Sequence, residues 1–288
     1  MVTFVSAGMI GLSIGAQYAL IAIGFTLIFG ILGVVNFAHG GFYVLGGYLA
    51  YSLTHSLGVP FPLAIALAAL ATGVLGYLVE IVLVDRFVAD HLATMLITLG
   101  FYQILIAAIV QVYGAEPVDF VFPLSGSIQA GPVRVQYSHL VVFAVCGTAI
   151  ALMYWLVYRT RYGIALRAMA DDGRVARSQG IPARTMFPMA FGIATMLAGL
   201  TGALVTPMLA LDPNVGEGVL LKAFISVILG GMGSIPGAMI AALAVGIVES
   251  YSAVYLGGSK GALVLFVAVV AVLLVRPQGL LGTQARRA

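Results

Sequence analysis

The sequence predicts an all-α polytopic membrane protein with about eight or nine transmembrane helices, some of them broken or re-entrant. Three observations carry this reading. Of 288 residues, 62% are hydrophobic and 8% charged, against about 25% charged in an average soluble domain. Such a chain cannot cover a soluble surface, and disordered chains are polar and charged. A soluble enzyme and a disordered chain are therefore both excluded. Next, apolar runs near the ~20 residues that span hydrocarbon recur along the chain. Finally, stretches such as 138–158 and 261–275 are apolar on both faces, whereas strands of a membrane barrel alternate over segments of roughly 10 residues. Little sequence is left for a soluble part, so residues 1–288 read as one membrane domain.

The runs predict helices at 4–33, 37–56, 61–84, 92–113, 138–158, 185–210, 218–232, 237–256 and 261–276. The first lacks the basic start and small-residue cleavage site of a signal peptide, so it reads as a retained transmembrane helix. The run 218–232 is short for a full span and reads as a half-helix or re-entrant element. Glycines at spacings of three or four (Gly11 and Gly15, Gly199 and Gly202, Gly230 and Gly233) let helices approach closely in lipid. Cys146 lies alone in an apolar run and reads as a packing residue.

Orientation follows from the basic residues. Segment 159–184 carries Arg159, Arg161, Arg167, Arg174, Arg177 and Arg184, and the tail adds Arg276, Arg286 and Arg287. This puts 159–184, the turn at Arg86 and the C-terminus in the cytoplasm, with ten of thirteen basic residues inside. Loops 114–137 and 211–217 then face outward.

No phosphate loop of the form G-x-x-x-x-G-K-[ST] occurs. His39, His55, His91 and His139 show no metal-ligand spacing, and no nucleophile elbow is present. Energy other than an ion gradient must come from another chain. Glu80 and Glu249 are the acids inside or at the ends of apolar runs, the residue type that relays ions in a carrier. Lys222 reads as a snorkelling side chain.

Three segments join apolar runs unusually. In Gly33-Val-Val-Asn36-Phe-Ala-His39-Gly40 no charge separates two runs. Asn36 can cap a helix start there, and a broken helix end at membrane depth can line a pathway and bind a substrate carboxylate. The structural alternative is that Asn36 and His39 only satisfy local hydrogen bonds. In Gly230-Gly-Met-Gly233-Ser234-Ile-Pro236-Gly237, Pro236 suits a first helical turn. In 159–184 a helical pattern through Ala165–Ala170 is followed by Asp171 or Asp172, either of which can cap a short helix ending near Gly180. This stretch reads as an orienting basic loop or as a docking helix, with Gly173 weakening its interior.

The segments Tyr18–Gly30, Asn36-Phe-Ala-His39-Gly40, Leu96-Ile-Thr98-Leu-Gly100, Gly114-Ala-Glu116-Pro117, Arg167-Ala-Met-Ala, Leu229–Gly237 and Arg276-Pro-Gln-Gly-Leu280 resemble, in order and over nearly the whole chain, the LivH-type permeases. These are membrane subunits of branched-chain amino-acid ABC importers. Members often carry Arg-Pro-Leu-Arg after the third helix, where this chain has Asp85-Arg86-Phe87-Val88. The resemblance implies a bacterial cytoplasmic-membrane subunit that pairs with a second, related permease. It further implies two cytoplasmic ATPase subunits, which hold the ATP and Mg, and a periplasmic or extracellular binding protein that delivers a small-molecule substrate to the outer face. This chain would hold no cofactor, catalyse no reaction, sit in lipid and bind no nucleic acid. Asn36, His39, Thr98 and Ser234 would line or shape the pathway. Arg167, Ala168, Met169, Asp171, Asp172, Arg174, Arg177 and Gly180 would touch the ATPase. The expected cargo is a branched-chain or hydrophobic amino acid, or a related small amide such as urea, moved by alternating access. An ion-coupled carrier and a passive small-solute channel are the rival readings.

Overall fold

A computed structural model describes residues 2–88, 90–124, 126–130 and 133–282. Arg286 and Arg287, used above for orientation, lie outside them.

All nine apolar runs fold as helices. They are α1 (Val2–Leu32), α2 (His39–His55), α3 (Phe61–Val79), α4 (His91–Tyr113), α5 (Tyr137–Arg159), α8 (Ala183–Val205), α9 (Val215–Gly230), α10 (Ile235–Leu256) and α11 (Gly258–Val275). Two short helices, α6 (Arg161–Asp171) and α7 (Gly173–Ser178), fill the basic segment. A π-helical turn, Glu80–Val84, extends α3, and a 3₁₀ turn, Thr206–Met208, ends α8. Six helices among the described residues are long and apolar enough to cross a membrane: α1, α3 with its extension, α4, α5, α8 with its final turn, and α10. The protein is a multi-pass helical membrane protein. The expected loop 114–137 departs from the all-α pattern. It holds an antiparallel hairpin, β1 (Ser127–Ala130) with β2 (Val133–Gln136), in which Ile128 faces Val135.

The core is built on small residues. In lipid no hydrophobic force drives helices together, so close backbone approach supplies the packing. Helix α1 runs through the centre and lies along α10. A Cβ on Gly15 would meet Leu243 Cα at 2.8 Å, and one on Gly11 would meet Ile247 Cα at 2.9 Å. Helix α2 is wedged between α8 and α9. A Cβ on Gly46 would lie 2.2 Å from the Gly199 carbonyl, and one on Gly40 would lie 2.6 Å from the Gly216 carbonyl. Tyr43, Tyr48, Phe42 and Phe191 fill the space around them and are fully buried.

The ends of the helices sort into two sides. The start of α1 meets the end of α10, where Ser250 Oγ donates to the Ala7 carbonyl at 2.7 Å and the Tyr251 hydroxyl to the Phe4 carbonyl at 3.0 Å. The other end of α1 meets α6, at Gly30 and Ala170. The closing Arg276–Leu280 motif folds back onto that same side. Leu280 N–H donates to the Leu229 carbonyl at 2.7 Å and Leu281 N–H to the Gly230 carbonyl at 3.0 Å. These bonds satisfy carbonyls that α9 leaves orphaned at its end.

Candidate functional site

Helix α2 has 17 residues and α9 has 16. At 1.5 Å per residue each is about 25 Å long, short of the ~30 Å hydrocarbon core. Their starts meet inside the bundle, at Gly40 against Gly216. The level is set by His39, whose Nε2 lies 3.3 Å from the Ile21 carbonyl of α1. From Leu32 back to Ile21 is about 17 Å along α1, roughly the mid-plane. Two short helices therefore begin near mid-depth, side by side.

The chain between α1 and α2 turns at Gly33, with φ of +67°. Asn36 does not sit at the N-cap position, which Ala38 occupies. Its Oδ1 instead accepts the Ala38 N–H at 3.0 Å. Thr98 Oγ1 accepts the Phe37 N–H at 3.3 Å and donates to the Met95 carbonyl at 3.0 Å. Asn36, His39 and Thr98 thus form one cluster, each at most 2% exposed. The Phe37 and Ala38 N–H groups are consumed by Thr98 and Asn36, so they are not open to a substrate carboxylate. Among the described residues, Asn36 Nδ2 and His39 Nδ1 have no hydrogen-bond partner. An unpaired buried polar atom costs about 1–3 kcal/mol.

Ser234 belongs elsewhere. It caps α10, its Oγ accepting the Gly237 N–H at 3.2 Å, with Pro236 in the first turn as expected. With Gly30, Tyr158, Arg167 and Asp171 it lines a cavity of about 570 Å³ beside α6.

Helix α6 is capped by Thr160, whose Oγ1 accepts the Gly163 N–H at 3.0 Å. Gly163, Leu166 and Met169 face the core. Met169 is 3% exposed, so it packs inward and offers no contact surface. Ala168 is half-buried. Arg167, Asp171, Asp172, Arg174, Arg177 and Gly180 are exposed, and the Arg167 guanidinium lies 5.0 Å from the centre of the Tyr158 ring. Asp172, not Asp171, caps α7. Its Oδ1 accepts the Arg174 N–H at 2.9 Å and the Val175 N–H at 3.0 Å. Those bonds, Val175 first, hold its carboxyl below the usual carboxylate range. Gly173 opens α7 rather than interrupting a longer helix, and Gly180 turns the chain with φ of +85°.

On the opposite side the two expected outer loops meet. Val118 N–H donates to the Leu211 carbonyl at 2.9 Å. Nearby a concave surface of about 730 Å³ is lined by Phe122, Arg134, His139 and Met208.

Lys222 does not snorkel. Its Nζ lies 2.5 Å from Glu249 Oε1 and 2.9 Å from the Tyr18 hydroxyl, which itself donates to Glu249 Oε2 at 2.9 Å. Glu249, a candidate coupling acid in the sequence, is thus the anion of an ion pair clamping α1, α9 and α10. Glu80 is fully buried in the π turn.

The sequence reading missed the residues around a mid-depth cleft of about 340 Å³, lined by Phe25, Leu99, Tyr102, Gln103, Glu217 and Phe224 among others. One signal was available. Thr94, Thr98 and Tyr102 repeat every four residues in an apolar run, and all three are buried.

Comparisons with known proteins agree with this architecture. A family model described as the permease component of the branched-chain amino acid transport system matches residues 9–276. The chain is 32% identical to the high-affinity branched-chain amino acid transport permease BraD of Pseudomonas aeruginosa, over 94% of each chain. It is 30% identical to LivH of Escherichia coli, over 94% of this chain and 93% of that one. It is also 26% identical to LivM of Escherichia coli, over 92% of this chain and 67% of that one. The family model spans most of the chain and two of these relatives reach 30% identity or more, so this chain belongs to the family of branched-chain amino acid transport permease components.

Proposed function

We propose that this chain is the permease subunit of an ATP-driven importer of branched-chain or other hydrophobic amino acids in a bacterial cytoplasmic membrane. The observation that carries the reading is the meeting of α2 and α9 at mid-depth beside an apolar cleft, in a chain of this family. Short helices that begin inside the membrane are tolerated where they border a cavity, and transporters bind substrates at such ends. The chain forms one permease domain, with the α6–α7 side and the C-terminus in the cytoplasm.

The working unit holds a second, related permease. The similarity of this chain to both LivH and LivM supports that pairing. Two ATPase subunits, which bind ATP and Mg, dock on the exposed residues of α6 and α7. A substrate-binding protein delivers cargo to the face formed by 114–137 and the start of 211–217, where Val118 meets Leu211. ATP binding shifts the permease pair between inward- and outward-open states, which requires the ATPase to bind the two states with different affinity. Asn36, His39 and Thr98 shape the pathway at the break. Their unpaired nitrogens are polar groups that a second arrangement of the break can satisfy. Ser234 sits beside the coupling helices and contributes to transmission more than to the pathway wall.

The test is leucine accumulation in proteoliposomes holding the purified complex and its binding protein. ATP-dependent accumulation that survives collapse of ion gradients supports the proposal. Accumulation that follows the gradient, or leucine flux without ATP, contradicts it.

A further inference from the structure

By sequence alone Glu217 is the last residue of an outer loop, 211–217. In the structure it lies in the first turn of α9, one residue past Gly216 and therefore near the mid-depth level of Gly40. The level is confirmed from α4, where His91 to Gln103 is about 18 Å in a helix about 33 Å long. Glu217 and Gln103 are both exposed at this level. An exposed carboxylate facing lipid at mid-depth is costly, so this face of α4 and α9 borders a pathway instead. The start of α9 favours a negative charge, and Tyr102 lines the same cleft as Glu217. The contrast with Glu249 is informative. Among the described residues Glu249 has Lys222, while Glu217 forms no ion pair.

The rest of the cleft is apolar. Phe25, Met95, Leu99 and Phe224 wall it, and its volume of about 340 Å³ falls at the small end of ligand sites. We infer that this cleft is an intramembrane station for a zwitterionic amino acid: the Glu217 carboxylate takes the ammonium group, and Phe25, Leu99 and Phe224 take the aliphatic side chain. The inference rests on the transport reading above and adds to it a place and the residue that holds the ammonium group. The chemistry selects against deaminated acids, which present no cation, and against amino acids with charged side chains, which the apolar walls reject.

The experiment uses the complete transporter in proteoliposomes, with ATP and radiolabelled leucine. Glu217→Gln is expected to lower uptake per assembled complex at least tenfold, and Glu217→Asp to restore part of it, which a purely structural role would not require. In a separate complex carrying Leu221→Cys at the cleft rim, leucine is expected to slow maleimide labelling. That readout does not depend on the Glu217 variants assembling, and the native Cys146 is buried. Wild-type uptake by Glu217→Gln together with labelling indifferent to leucine overturns the station but leaves the transport reading intact. Failure of the wild-type complex to take up leucine overturns both.

Discussion

Gly246→Ala tests whether close backbone packing holds the scaffold. The added Cβ would lie 2.2 Å from the Gly15 nitrogen, 2.4 Å from Gly15 Cα and 2.8 Å from the Gly11 carbonyl. Carbon contacts are optimal near 3.5–4.0 Å, and every neighbour named is backbone, so no rotamer change can relieve the clash. Helices α1 and α10 must part by more than about 1 Å. Overpacking of this kind costs about 1–3 kcal/mol, and replacing a helical glycine returns about 0.5–1 kcal/mol. The net is a loss of up to about 2.5 kcal/mol. At about 2–4 °C per kcal/mol for a chain of this size, the melting temperature falls by several degrees. Gly147→Ala in α5 is the control. Among the described residues nothing outside its own helix lies within 4 Å of its added Cβ, so only the helix-propensity gain remains. Thermal unfolding of the purified complex in detergent, followed by size-exclusion, reads both variants. Gly246→Ala melting at or above Gly147→Ala would refute the packing argument.

Other outcomes follow from the same geometry. Arg167→Glu combined with Arg174→Glu reverses two exposed charges on α6 and α7, and is expected to reduce ATPase recovery with the tagged chain while membrane insertion is unchanged. Undiminished recovery would remove these helices from the docking surface. Asp172→Ala leaves the Arg174 and Val175 N–H groups without their acceptor, so hydrogen exchange of the α7 amides should quicken. Because the folded carboxyl is held below its unfolded value, the cap is fully formed above the unfolded pKa. It is lost as pH falls through the folded one, so exchange in the wild type should quicken only in that acidic window. Asp212→Cys, beside the Val118–Leu211 bridge, should react with an impermeant maleimide in whole cells. Labelling only after lysis would invert the orientation.

Much of the scaffold was legible in the sequence, because hydrocarbon imposes one demand on every crossing and each apolar run answers it as a helix. A cap at Asp171 or Asp172, the turn near Gly180 and the helical start at Pro236 were legible for a similar reason, since each is a local rule that needs no partner; the structure selects Asp172. What stayed hidden depends on contacts between distant elements. Met169 falls in a basic segment, yet the three-residue spacing with Leu166 turns it into the core. Lys222 and Glu249 are 27 residues apart, and only the antiparallel packing of α9 and α10 makes them a pair. Glu217 looks like the edge of a polar loop until Gly40 and Gly216 draw the start of α9 into the membrane. The hairpin at Ser127–Gln136 was hidden for another reason. A four-residue strand is too short for alternation to stand out beside long apolar runs.

The most direct test of the central claim is to isolate the tagged chain from its native membrane and determine what accompanies it, by native mass spectrometry. The account predicts one copy of this chain with one related permease and two nucleotide-binding subunits. Recovery of the chain alone, or only with further copies of itself, in a form that passes leucine without ATP would contradict it.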